Sequence, residues 1–342
     1  MARDNARVWT DSTLAEIEAH LTEIYRTSRD QIAEKWDAYM QKGQAKLNKL
    51  YQEYLSAPED AQPAAFRKYQ QALDSYTLKN QWYQDMVNET TLRLAKVNDI
   101  AVSYVNGKIP AIYTVNYNQL DPNALNLGIK WTIRDEYTVR NLMADTLPNK
   151  QINYAKDMTW NMKQINNGVL QGILQGESID KISKRLFPVI MQGQPMDSGI
   201  IHKNEIAARR TARTMVTGAE NRGRLDRYSD YESEGVIMTK VWIATPDNRV
   251  RDWHISMDGQ EVGVNEPFTD GLGYHLMYPG DGSAPPETVY NCRCTMRSHI
   301  TGIRQSDGTI KRITYSGDTP TMHAGQIAAE KARRKVAKKR KK

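Results

Sequence analysis

The chain has 342 residues, of which 39% are hydrophobic, with a mean hydropathy of −0.68 and a formal charge of +7. That length supports two domains or one large elaborated domain, and the absence of any apolar run of about 18 residues excludes a membrane-spanning helix. The charge is concentrated: residues 331–342 hold nine Lys or Arg and no acid, and the rest of the chain has 38 basic and 40 acidic residues, so the body is close to neutral.

The opening "MARDNARVWTDSTLAEIEAH" is charged and has no apolar core, so it does not read as a signal peptide. Residues 13–55 read as one helix. "DST" offers N-caps, and Leu14, Ile17, Leu21, Ile24, Ile32, Trp36, Tyr39, Leu47, Leu50 and Tyr54 recur at helical spacing. Its length, about 65 Å at 1.5 Å per residue, requires a second long helix or a partner beside it. "SAPEDAQP" (56–63) breaks the pattern with two prolines, and a second helix follows over 64–96 with Phe66, Tyr69, Leu73, Tyr76, Trp82 and Tyr83. The two helices make an antiparallel hairpin with the aromatic stripe as its core.

In 97–150, "VNGKIPAIYTVNYNQL" reads as a short strand between turns, and "TIRDEYTVRNLMADTLP" as a short helix. The pattern is helical again over 150–230. It includes a helix, a turn at "QGES" and a second helix capped by Ser178 with Asp180, then an arginine-rich helix at 202–228. At about 235 the character changes. "GVIMTKVWIAT" alternates as a strand does, and short strands with Gly, Pro and Asp turns continue to 300. The segment from about 317 is polar, then alanine-rich, then basic, and reads as flexible. The fold class is α+β: a long helical N-terminal half, then a smaller α+β module with short antiparallel strands, then a basic tail. The organisation reads as 1–100 helical hairpin for partner binding, 101–200 mostly helical connection, 201–316 compact module, and 317–342 basic tail.

The chain's two cysteines, Cys292 and Cys294, stand one residue apart in "YNCRCTM". A bridge between them would close a small strained loop, so a reducing compartment is indicated. Two thiolates and an imidazole are zinc ligands, and His254 with Cys292 and Cys294 supplies three of the usual four; His275, His299 or Asp247 are candidates for the fourth. A zinc finger spaces its cysteines more widely, so spacing alone favours two small residues at the end of a buried strand and a hydrogen-bonded histidine. Cys292 with His254 as nucleophile and base, with Asp247, Asp252 or Asp258 as acid–base groups, is the enzyme reading. No diagnostic spacing supports it, and no GxSxG, HExxH, P-loop or GxGxxG motif occurs.

The basic tail has a plainer meaning. Lys331, Arg333, Arg334, Lys335, Lys338, Lys339, Arg340, Lys341 and Lys342 seek a polyanion, and no base-reading module accompanies them. Sequence-independent DNA contact is the expectation, with a solvated tail as the alternative. The arginines at 209, 210, 213, 222, 224 and 227 lie among acids and read as salt-bridged packing or a partner surface.

The stretch 205–298 resembles the phage Mu F-like head morphogenesis family, the minor head proteins of tailed double-stranded DNA phages. The matching pieces are "RRTARTMVTGAENRG", "KVWIATPDNRVRDWH", "MDGQEV", "EPF" and "MYPGDGSAPPETVYNCRCTM". They carry Trp242, Asp247, Arg249, Arg251, His254, Asp258, Gly259, Phe268, Pro279, Gly280, Asn291, Cys292, Arg293 and Cys294 in order. The resemblance implies a non-enzymatic virion component in the head interior or at the portal vertex, assembled in the host cytoplasm. Its implied partners are the portal protein, other head or scaffold proteins and, through the tail, double-stranded DNA; no membrane is implied. It also leaves zinc at His254, Cys292 and Cys294 level with plain packing. Some members of the family carry a toxin domain after this module.

Overall fold

The computed structural model describes residues 4–76, 81–119, 121, 124, 133–139, 200–245, 247 and 249–313. The helices expected between 150 and 199, and the basic tail, lie outside the described residues. The elements are α1 (Asn5–Ser56), α2 (Gln62–Tyr76), α3 (Gln81–Tyr117), α4 (Ile200–Ser233), β1 (Val236–Ile243), α5 (Asp252–Ile255), β2 (Glu261–Gly263), β3 (Phe268–Thr269), β4 (His275–Leu276), α6 (Pro286–Val289), β5 (Thr295–Arg304) and β6 (Ile310–Arg312). The α+β architecture expected from the sequence is the one observed. The strand expected near 105–120 is instead the end of α3, with Pro110 inside the helix. The reason is packing: Val97, Ala101, Val105, Ile109 and Ile112 continue the three-and-four spacing past the proline and are all buried.

The chain divides into two compact units. One comprises Glu18–Tyr104 and Gln151–Arg209. In it α1 presents Leu21, Tyr25, Ile32, Trp36 and Leu47, and α3 presents Val87, Leu94, Val97 and Ala101, all buried. Buried polar groups are paired: the Trp36 indole donates to Thr90 Oγ1 (2.9 Å), and Tyr25 donates to Asn98, which donates to Asn204 of α4. Tyr51 and Tyr54 of α1 pack on Tyr69 and Phe66 of α2, with ring centroids 5.3 and 5.2 Å apart, while the second helix expected over 64–96 is described as α2 to Tyr76 and as α3 from Gln81 on to Tyr117.

The other unit comprises Met1–Ile17, Val105–Lys150 and Arg210–Lys342. Its centre is an antiparallel sheet in the order β2-β1-β5-β6, with Trp242 opposite Met296 and Met238 opposite Ile300. The alternation along β1 sends Val236, Met238, Lys240 and Trp242 to one face. They pack with Leu225, Tyr228 and Tyr231 of α4, and with Phe268, Leu276 and Val289, into one core that also contains both cysteines. Two glycines allow α4 to pack this closely. A Cβ at Gly223 would come 2.5 Å from the Tyr113 carbonyl oxygen of α3, and one at Gly280, at φ +83°, would lie 2.7 Å from Gly218 N.

Lys240 sits at a core-facing position of β1, fully buried. It donates to the Met277 carbonyl (2.9 Å) and lies 5.1 Å from the Phe268 ring centroid. Burial pulls its pKa down to about 8, although Asp281, Glu232 and Glu266 pull it upward. Between that value and the unfolded value of about 10.4 the unfolded chain binds the extra proton, so stability rises with pH. Lys240→Met is therefore expected to remove a rise of at most about 1.4 kcal/mol per pH unit over this window. Denaturation of both proteins at pH 7.5, 9 and 10.5 checks this, and parallel curves would refute it.

Candidate metal centre

The two cysteines face the same way because they are two residues apart on extended chain leading into β5. Asn291, at φ 57°, turns the backbone just before them, and its N–H is held by Thr214 of α4 (3.1 Å). Arg293 points the opposite way and pairs through both of its terminal nitrogens with Asp247. His254 comes from α5, in a turn folded back on the end of β1. Gly259 N donates to the Trp242 carbonyl, and Trp242 N to that of Gln260 (2.9 Å each).

These pieces bring His254 Nδ1 to 3.7 Å from Cys292 Sγ and 3.6 Å from Cys294 Sγ. One ligand atom from each residue lies within 4.8 Å of the others, and all three residues are buried. The ring of Trp242 stands edge-on to that of His254, centroids 5.6 Å apart. Both cysteines are free thiols. Cys294 is held well below the ordinary thiol range because the Cys292 thiol donates to it, against the cost of burial. Cys292 is pushed up by the same bond and by burial. Two sulfurs and one imidazole nitrogen converging in an apolar pocket form a donor set that suits a soft or borderline cation.

The other sequence candidates go elsewhere. Among the described residues the group has three members. His275 is exposed and bonds Thr269 (3.1 Å), His299 bonds Glu261 (2.6 Å), and Asp247 is taken by Arg293. Asp258 accepts from Ala244 N (2.8 Å) at the end of β1.

Several residues of this neighbourhood were not legible beforehand. The carbonyls of three successive residues are each taken by a side chain from elsewhere in the chain. Thr217 of α4 donates to Cys292 O (2.7 Å), Arg7 of α1 and Thr245 both donate to Arg293 O (2.9 and 2.6 Å), and Asn221 donates to Cys294 O (3.3 Å). Behind them Glu220 accepts Arg7 (2.8 Å) and lies 3.4 Å from Arg224, which pairs with Asp4 (2.8 Å). The arginine-rich helix thus uses Arg224 in buried ion pairing, while Arg222 pairs along the helix with Asp226 (2.9 Å).

Residues 163–297 match the family model described as Phage Mu protein F like protein. The matched stretch is less than half of the chain. It contains His254, Cys292 and Cys294, together with α4 and β1. Over 170 residues the chain is 28% identical to the minor head protein GP7 of Bacillus phage SPP1, covering 44% of this chain and 48% of that protein. It is also 24% identical over 196 residues to the NAD(+)–arginine ADP-ribosyltransferase EFV of Enterococcus faecalis (strain ATCC 700802 / V583), covering 56% of this chain and 36% of that one. The chain thus spans about half the length, or less, of these curated relatives. No solved structure matches it. Among the described residues, no helix is long and apolar enough to cross a membrane.

Proposed function

We propose that this chain is a minor head protein of a tailed double-stranded DNA phage, carried in the virion and acting in head assembly. The observation behind this reading is the Mu F-like match across α4, β1, β2 and the His–Cys–Cys group, alongside the likeness to a phage minor head protein. In this reading the module holds zinc through His254, Cys292 and Cys294, and the ion has a structural role. The shielding of all three residues from solvent supports that role. The chain is read as non-catalytic for the same reason, and because Asp247 and Asp258 are engaged in structural bonds. The likeness to the transferase covers 36% of that longer protein, and no transferase role is carried over from it.

The portal protein is the proposed docking partner, with the long helices α1–α3 as the contacting surface. Proteomics of purified virions is expected to find the chain, and portal protein purified from infected cells to carry it along. Absence from both would defeat the reading.

The segment 331–342 is proposed to contact packaged DNA without reading its sequence. If its nine cations each neutralise one phosphate, the slope of log affinity against log salt is about −8. Deleting 331–342 is expected to abolish measurable binding at physiological salt and flatten that slope. Retained affinity in a filter-binding titration would place the DNA contact elsewhere in the chain.

A further inference from the structure

The metal-ligating face of His254 is set by groups on its far side. Its Nε2 lies 3.0 Å from Thr288 Oγ1, and the Thr288 hydroxyl lies 2.7 Å from Asp270 Oδ2. The other oxygen of Asp270 accepts the backbone N–H groups of Leu272 and Tyr274, each at 2.9 Å. All three side chains are buried: His254 is 1% exposed, Thr288 0% and Asp270 5%. A carboxylate can only accept, so the single hydroxyl proton of Thr288 goes to Asp270. Thr288 is then left with lone pairs toward the ring, and Nε2 must carry a hydrogen to bond it. Nδ1, the atom facing both sulfurs, is the ring's remaining ligand atom.

We propose that Asp270 and Thr288 form a relay that fixes the proton of His254 on Nε2 and so reserves Nδ1 for the metal. This rests on the metal reading above. Asp270 and Thr288 are positioning residues and touch no ion. The relay has a direction, and one isosteric change disturbs it. In Asp270→Asn the amide oxygen still receives Leu272 and Tyr274, which turns the NH2 toward Thr288. The Thr288 hydroxyl is then free to donate to Nε2, and the ring proton moves to Nδ1, against the sulfurs.

The test is cobalt(II) binding by the full chain, followed by thiolate-to-cobalt absorption and by competition with a chelator. Wild type and Thr288→Ser, which keeps the hydroxyl, are expected to bind one cobalt with equal affinity. Asp270→Asn and Thr288→Val are expected to bind it 10- to 100-fold more weakly. In the zinc-loaded wild type, nitrogen-15 spectra of His254 are expected to show a protonated Nε2 and a coordinated Nδ1. Affinities within twofold of wild type in Asp270→Asn, or coordination through Nε2, would overturn the relay while leaving the metal centre standing. No cobalt or zinc bound by the wild type would overturn both. If Thr288→Val does not fold, the Asp270→Asn and Thr288→Ser pair decides the matter alone.

Discussion

On the metal reading, Cys292→Ser is expected to cost the module around the sheet its ion and, at metal concentrations about a thousandfold above the dissociation constant, about 4 kcal/mol of stability. For a unit of this size that lowers the melting temperature by roughly 10 °C or more. The loss should be local to the module, with most of the far-UV helical signal retained by the long helices. Burying a serine hydroxyl in place of a thiol is itself unfavourable, so the decisive comparison is fourfold: wild type and variant, each with and without chelator. A metal centre makes the chelator lower the wild type and leave the variant unmoved, with zinc lost from the variant by elemental analysis. Equal melting of variant and wild type, with no chelator effect in either, would identify the cysteines as packing residues of the core they share with Trp242 and Met296.

Glu220→Ala is expected to destabilise the same unit by about 1.5–3 kcal/mol, because it removes charge-assisted hydrogen bonds at a buried carboxylate while both arginines keep other partners. The Glu220 side chain is 2% exposed and that of Arg224 7%. Without the carboxylate, Arg224 retains Asp4 and the Asn116 oxygen (3.1 Å), and Arg7 keeps Asp11 and the Arg293 carbonyl. Thr295, whose hydroxyl lies 3.0 Å from Glu220, keeps its contact with Asn221 (3.1 Å). Glu220→Gln isolates the charge, since it keeps the size and one acceptor oxygen, and it is expected to recover only part of the loss. Urea midpoints with metal saturating in every sample measure both. A cost below about 1 kcal/mol for the alanine variant would mean that the cluster is open to water and worth no more than a surface pair.

Much of the frame was readable because its signals are local. The helical periodicity of α1 and α4 and the alternation of β1 are each written in one contiguous stretch. That a C-x-C in extended chain aims both sulfurs to one side follows from strand alternation. The end of α3 misled because Gly107 and Pro110 are turn residues by composition, whereas the buried face from Val97 to Ile112 outweighs them. Lys240 was invisible as a core residue because lysine at an alternating position is ordinarily solvent-facing. Thr217, Asn221, Asp270 and Thr288 were beyond reach for another reason. Each is a common polar residue, and its meaning arises only when residues 18 to 75 positions apart are brought together.

The fastening of the Arg293 and Asp4–Arg224 contacts through α1 bears on inheritance and on protein dissection alike. The stretch that matches a family model begins at residue 163, yet Asp4, Arg7 and Asn116, which complete its buried charge cluster, lie well before that point. A chimera that exchanges residues 163–297 between two relatives would join each α4 to a foreign set of counter-ions, and it should fold poorly unless the stretches around 4–17 and 105–119 travel with it. Compatible exchange would therefore be discontinuous along the chain, with three segments inherited together.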